Sequence, residues 1–137
     1  MTASALSFHH FGIACRDLDR EEAAYAELGY KVEAPDFIDP VQGVRGRFLA
    51  EGGPRLELLV ALEGSQVLEP WLTTGTSRVY HEALETLDLK RTLDSMIDSG
   101  ARVVVEPAPA VAFNGRGICF LMLRNMALVE LIEAGRL

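Results

Sequence analysis

The chain has 137 residues, a formal net charge of −7 and 49% apolar residues. That is enough apolar material for one compact domain, or for two small modules sharing a core. The basic residues do not cluster, which argues against a nucleic-acid or anionic-membrane surface. The longest apolar runs, at 103–105 and 118–123, are too short to span a bilayer. The N-terminus lacks a basic stretch followed by an apolar one, so no signal peptide is expected and cytoplasmic residence is the expectation. Two cysteines, Cys15 and Cys119, do not make a disulfide framework.

Residues 1–7 read as a short tail. Residues 8–15 are apolar and few, hence a buried strand. Asp17 or Asp19 is placed to cap a helix whose first turn holds Glu21 and Glu22. Ala23, Ala24, Ala26 and Leu28 suit that helix, and Gly29 its C-terminal stop. Residues 30–34 read as a second strand and 35–43 as a loop built on Asp36, Asp39, Pro40 and Gly43. Strands at 46–50 and 55–62 flank Glu51-Gly52-Gly53-Pro54 as a hairpin. Residues 63–78 read as a connector in which Ser65 is placed to cap a short helical segment limited by Pro70. The pattern then restarts. A strand at 79–87 precedes a helix at 89–99, with Leu89, Leu93, Met96 and Ile97 on one face. Residues 101–106 form a strand that Pro107 is expected to stop, before a loop through Gly115. Strands at 117–123 and 127–133 close the chain, turning near Arg124-Asn125.

The restart is an echo. The segment FHHFGIACRDL around His10 superimposes on YHEALETLDL around His81, 71 residues later. His10 and Asp17 are spaced like His81 and Asp88, Leu18 matches Leu89, and Gly29 and Gly100 each lie 19 residues after their histidine. Farther on, Gly43 matches Gly115, Phe48 matches Phe120 and Leu49 matches Leu121 at a spacing of 72, and Glu57 matches Glu130 at 73. The sequence therefore predicts an α+β chain of two βαβββ repeats, about 8–62 and 79–133, sharing one core. The period is too long, and the copies too few, for a solenoid.

The chemistry follows from strand parity. Alternate side chains share a face, so Phe8, His10, Gly12 and Ala14 lie together, as do Val79, His81, Ala83 and Glu85. Glu57 and Glu130 each interrupt an apolar strand, where a carboxylate is costly unless paired or metal-bound. If the halves are related by a pseudo-twofold, His10 and Glu57 face His81 and Glu130. Two imidazoles and two carboxylates suit a divalent Zn, Ni, Co, Mn or Fe ion. The alternative is that either carboxylate pairs with Arg47, Arg55 or Arg124. His9 has the wrong parity and no counterpart, Tyr80 standing in its place, and reads as structural. Glu133 reads as solvated, and Glu85 as bordering the His81 face. Cys15 and Cys119 read as packing residues because neither has a visible activating partner. Tyr80, Trp71 and Phe113 read as packing too. Gln42, Asn114 and Arg116 sit in equivalent loops of the two halves as candidate substrate contacts, Arg116 for an acidic group.

The segments HFGIACRDLD, YHEALETLDL and MALVELIE resemble the metal-bearing segments of the vicinal oxygen chelate superfamily, which includes glyoxalase I, methylmalonyl-CoA epimerase, extradiol dioxygenases and bleomycin- or fosfomycin-resistance proteins. VQGVRGRFL and RLELLVALEGSQVLEPWL are most similar to the methylmalonyl-CoA epimerase-like branch. The resemblance implies paired βαβββ modules forming a cupped, mostly antiparallel mixed sheet around a divalent metal held by His10, Glu57, His81 and Glu130. It implies Glu57 or Glu130 as the base for proton transfer next to a carbonyl. It also implies a small-molecule partner and a cup completed within one chain or across a homodimer.

Two departures stand out. Some epimerases carry an acid on the strand matching 44–48, where this chain has Arg45, Gly46 and Arg47. Many glyoxalase I sequences carry a PDG-type turn before the last glutamate, where this chain has Arg124-Asn125-Met126. The expectation is a metal-dependent isomerase or lyase, epimerase-like on an acyl-CoA or small carboxylate. The alternatives are a glyoxalase I-like lyase and a non-catalytic small-molecule binding or resistance protein. An extradiol dioxygenase fits less well, because two His and one Glu would leave Glu57 unexplained.

Overall fold

The computed structural model describes residues 5–135. The chain is α+β, and its elements come in two runs of the same kind. The first run is β1 (Leu6–Cys15), α1 (Leu18–Ala26), β2 (Lys31–Val32), β3 (Phe37–Asp39), β4 (Val44–Ala50) and β5 (Leu56–Ala61). The second is β6 (Ser77–Thr86), α2 (Leu89–Asp98), β7 (Arg102–Pro109), β8 (Gly117–Met122) and β9 (Leu128–Glu133). Between them, Glu69–Trp71 forms a single 3-10 turn. The predicted βαβββ pattern is thus present twice, with the short β3 added to the first copy. Among the described residues, no helix is long and apolar enough to cross a membrane.

By its contacts the chain divides into two compact units, one of His10–Tyr80, the other of His81 onward together with the chain up to His9. The division falls inside β1 and β6, immediately before His10 and His81. In the His10–Tyr80 unit, β1 pairs parallel with β5, β5 antiparallel with β4, and β4 antiparallel with both β2 and β3. In the other unit, β6 pairs parallel with β9, β9 antiparallel with β8, and β8 antiparallel with β7.

One sheet face in each unit carries the helix. Ile13, Cys15, Leu49, Leu56 and Leu58 pack with Leu18 of α1 and with Tyr30. Cys119, Leu121, Val129 and Leu131 pack with Leu89 and Leu93 of α2. Both helices start and stop by the same devices. The carboxylates of Asp17 and Asp88 accept the backbone N–H of Arg20 and Arg91, satisfying donors that the first turn leaves open. Gly29 and Gly100 take φ of +94° and +102°, which lets the N–H groups of Tyr30 and Ala101 return to Tyr25 and Met96.

The boundaries depart from the sequence reading where tertiary contacts decide them. The expected tail is partly strand, since Leu6 and Ser7 belong to β1; residues 1–4 lie outside the described residues. The second strand is only Lys31–Val32, because Tyr30 turns into the core and donates its hydroxyl to the Pro54 carbonyl at 2.6 Å. The loop expected at 35–43 contains β3, which runs antiparallel along β4. Ser65 does not cap the 3-10 turn; its Oγ accepts from the Val67 N–H, and β6 begins earlier than expected, at Ser77. Pro107 does not stop β7. It lies where the pairing with β8 shifts register between Val105 and Ala108, a place where a missing N–H donor is tolerated. Leu28 and Ile97 are not core residues: both are exposed, and Leu28 falls beyond the end of α1. Thr92 and Ser95 take buried places on α2 instead, Thr92 through a 2.6 Å hydroxyl contact with Thr86.

Two expectations follow. Asp88→Ala removes the cap of α2 and costs about 1 kcal/mol of unfolding free energy, measured by chemical denaturation. Burial pushes the Cys15 thiol up to about 12 and the Cys119 thiol up to about 11. The neutral thiols therefore favour the fold most below the ordinary thiol range, and that contribution falls as pH rises from about 9 toward those values, because the unfolded state loses its protons first. A disulfide thiol reagent at pH 8 should label neither cysteine in the folded protein and both after unfolding.

Candidate functional site

The opposite sheet faces hold the polar residues. In the His10–Tyr80 unit, Glu57 lies in register with Gly12 of β1 and Phe48 of β4. Gly12 is two residues beyond His10, so His10 and Glu57 share a face. The His10 Nε2 stands 3.1 Å from Glu57 Oε1, with side chains 0% and 6% exposed. The ring of Phe48 meets the His10 imidazole edge-on, at 5.4 Å and 79°.

The other unit repeats this arrangement. Glu130 lies in register with Ala83 of β6, two residues beyond His81, and with Phe120 of β8. The His81 Nε2 stands 3.3 Å from Glu130 Oε1. Phe120 meets the His81 ring at 5.2 Å and 89°. Each imidazole is therefore fixed by an aromatic ring on one side and a carboxylate on the other, and all four polar residues are buried.

The alternative partners for these carboxylates are engaged elsewhere. Arg47 lies on the helix side of β4, where it donates to Asp36 of the β3 edge and to Asp19 and Glu22 of α1. Its hydrogen bonds, with those of Arg45, hold the Asp36 carboxyl below the usual carboxylate range. Arg55 donates to Glu33, and the Arg124 side chain packs over Gly100.

The donor chemistry of the two pairs fits a divalent ion. Each supplies an imidazole nitrogen and a carboxylate oxygen, the mixed set that first-row metals accept, inside an environment that penalises an uncompensated negative charge.

Of the other singled-out residues, His9 packs edge-on against Phe113 at 5.3 Å. Trp71 stacks near Tyr80 at 5.5 Å. Glu133 is exposed. Glu85 pairs with Arg116 at 3.0 Å. Arg116 also donates to the carbonyls of Phe113 and Glu133 and lies over the Phe113 ring. Asn114 is exposed, with φ +56°, and ends the turn at Val111–Phe113. Gln42 is half-buried, its N–H bound to the Asp39 carboxylate. Sequence reasoning gave no role to the rings beside the histidines. Their signal was present, since Phe48 and Phe120 keep the repeat spacing, but only the sheet register shows that they flank the imidazoles.

Comparison with known proteins identifies relatives of the chain as a whole. A family model described as the Glyoxalase/Bleomycin resistance protein/Dioxygenase superfamily matches residues 9–120. A methylmalonyl-CoA epimerase from Mycobacterium tuberculosis is 26% identical, with a TM-score of 0.81, over 99% of this chain and 93% of that one. A variant of the Streptomyces coelicolor methylmalonyl-CoA epimerase, in complex with 2-nitronate-propionyl-CoA, is 29% identical with a TM-score of 0.73, over 96% of this chain and 100% of that one. A methylmalonyl-CoA epimerase in complex with methylmalonyl-CoA and NH4+ is 30% identical with a TM-score of 0.73, over 96% of each chain. No curated protein sequence matches. The chain belongs to the glyoxalase/bleomycin resistance/dioxygenase superfamily.

Proposed function

We propose that His10, Glu57, His81 and Glu130 serve one divalent metal, Co, Ni, Zn, Mn or Fe, in a metal-dependent isomerase or lyase. Its reaction is proton transfer next to a carbonyl, epimerase-like, on an acyl-CoA or a small carboxylate. The observation that carries this reading is the buried His–Glu pair, present twice with matching register and distance. The likeness to methylmalonyl-CoA epimerases supports the reaction class. The reading also treats the repeats 8–62 and 79–133, with their connector 63–78, as one working domain, and the molecule as a homodimer.

An ion held by His10, Glu57, His81 and Glu130 would supply positive charge to stabilise negative charge developing on the substrate's carbonyl oxygen. The residues of the chain do the rest. A carboxylate oxygen of Glu57 or Glu130 accepts the proton from the carbon next to the carbonyl, and the electron pair left behind spreads onto the carbonyl oxygen. For inversion, the other glutamate, in its acid form, gives a proton to the opposite face while the first keeps the one it took, and both exchange with solvent between turnovers. The adjacent imidazole and its aromatic neighbour hold the reacting carboxylate in place, and the apolar strands around it keep water from competing for the proton. Arg116 is proposed to meet an acidic group of the substrate, which requires exchanging its bond to Glu85, and Asn114 and Gln42 are proposed as further substrate contacts.

The test is deuterium uptake from solvent. Metal-loaded protein, mixed in heavy water with a panel of acyl-CoA thioesters and small carboxylates that includes methylmalonyl-CoA, should place deuterium on the carbon next to the carbonyl of at least one compound. Glu57→Gln or Glu130→Gln should slow that exchange by about 100-fold or more. No exchange across the panel contradicts the reading and favours a small-molecule binding protein.

A further inference from the structure

We propose that Phe37, seated on Gly46, is a specificity-determining residue: with Phe48 it forms an aromatic wall beside His10 and Glu57 that receives a ring-sized apolar substituent of the substrate. This rests on the reading above, in that it takes His10 and Glu57 to face the substrate.

Gly46 is in register with Leu59, and Phe48 with Glu57, so Gly46 lies one step along the same sheet face from the Phe48–Glu57 row. No positive φ requires a glycine there. Space requires it. Phe37 lies directly opposite Gly46 in the β3–β4 pairing. A Cβ built on Gly46 would come 2.1 Å from Phe37 Cζ, 2.5 Å from Cε1 and 2.8 Å from Cε2. The outer edge of the ring thus occupies the place of a side chain at position 46, and even a methyl group would displace it.

The rings then run in sequence toward the polar pair. Phe37 and Phe48 have centroids 5.8 Å apart at 34°, and Phe48 leads on to His10 at 5.4 Å. On the same face Phe37 packs against a cluster that includes Val44, Leu59, Leu68 and Leu72, all buried and apolar. Arg45 and Arg47 alternate away from this face and pair with Asp36. The row Val44–Gly46–Phe48 therefore offers no cation for a charged substituent and no second acid beside Glu57. Phe37 itself is only half-buried. In the other unit, the position matching Gly46 at the repeat spacing is Ile118, a buried residue that fills its own place. The aromatic wall belongs to the first repeat alone. A flat apolar group gains there from burial and from ring packing together.

Phenylmalonate and methylmalonate share both carboxylates and differ only in the substituent on the central carbon. Calorimetric titration of the full chain, with and without bound Co, should give phenylmalonate about tenfold tighter binding than methylmalonate, about 1.4 kcal/mol. Phe37→Ala should bring that ratio close to one. Phe37→Leu keeps most of the volume and guards against unfolding, and it should lower the ratio as well. Equal affinities in the unaltered protein, a ratio that both variants leave unchanged, or no binding of either diacid overturns the proposal. A protein that holds no Co yet keeps the phenyl preference would instead sink the metal reading and leave the aromatic wall standing.

Discussion

A carboxylate inside an apolar strand needs compensation, because removing its charge from water costs more than the strand's packing returns. This chain meets that constraint in both of its repeats. Glu57 and Glu130 each stand in a strand flanked by leucine, isoleucine or valine, and each has an imidazole nitrogen within 3.1 to 3.3 Å. The parallel pairing of the first strand of a repeat with its last makes this possible, for it brings residues 47 apart (His10 and Glu57) or 49 apart (His81 and Glu130) onto one sheet face. Fold and candidate chemistry thus depend on the same two strand pairings.

The two faces of each sheet divide the work. One is covered by a helix that Asp17 or Asp88 starts and that a glycine stops, and it carries most of the aliphatic packing together with both buried thiols. Ionic contacts on that side, above all Arg47 with Asp19, Glu22 and Asp36, tie helix and edge strand to the sheet. The other face carries histidine, glutamate and phenylalanine. Arg45 and Arg47 belong to the first face, where they pair with Asp36, Asp19 and Glu22. That separation suits metal binding and acid–base work better than structural ion pairing does.

Much of this was legible in the sequence because duplication doubles weak signals. A single histidine in a strand carries little information, but His10 and His81 in matching contexts, each followed by a capping aspartate and a terminating glycine, fix parity and element order together. The first strand's partner was legible through Glu57, which has no place in an apolar strand without company. Less legible were features set by contacts distant in sequence. β3 has no alternation of its own and exists because β4 offers it an edge. Pro107 sits in a strand because a register shift removes the need for its N–H. Gly46 looks like any strand glycine until the Phe37 ring is seen above it, and the pairing of Arg45 and Arg47 with Asp36 shows only in three dimensions.

Whether both His–Glu pairs serve a single ion is decided by titrating the metal-free chain with Co(II) and following its visible absorption and stoichiometry. One ion per chain is expected, with binding lost in His10→Ala and lost equally in His81→Ala, since each variant removes a ligand from a different repeat. No stoichiometric ion, or an ion whose binding survives either substitution, would contradict it.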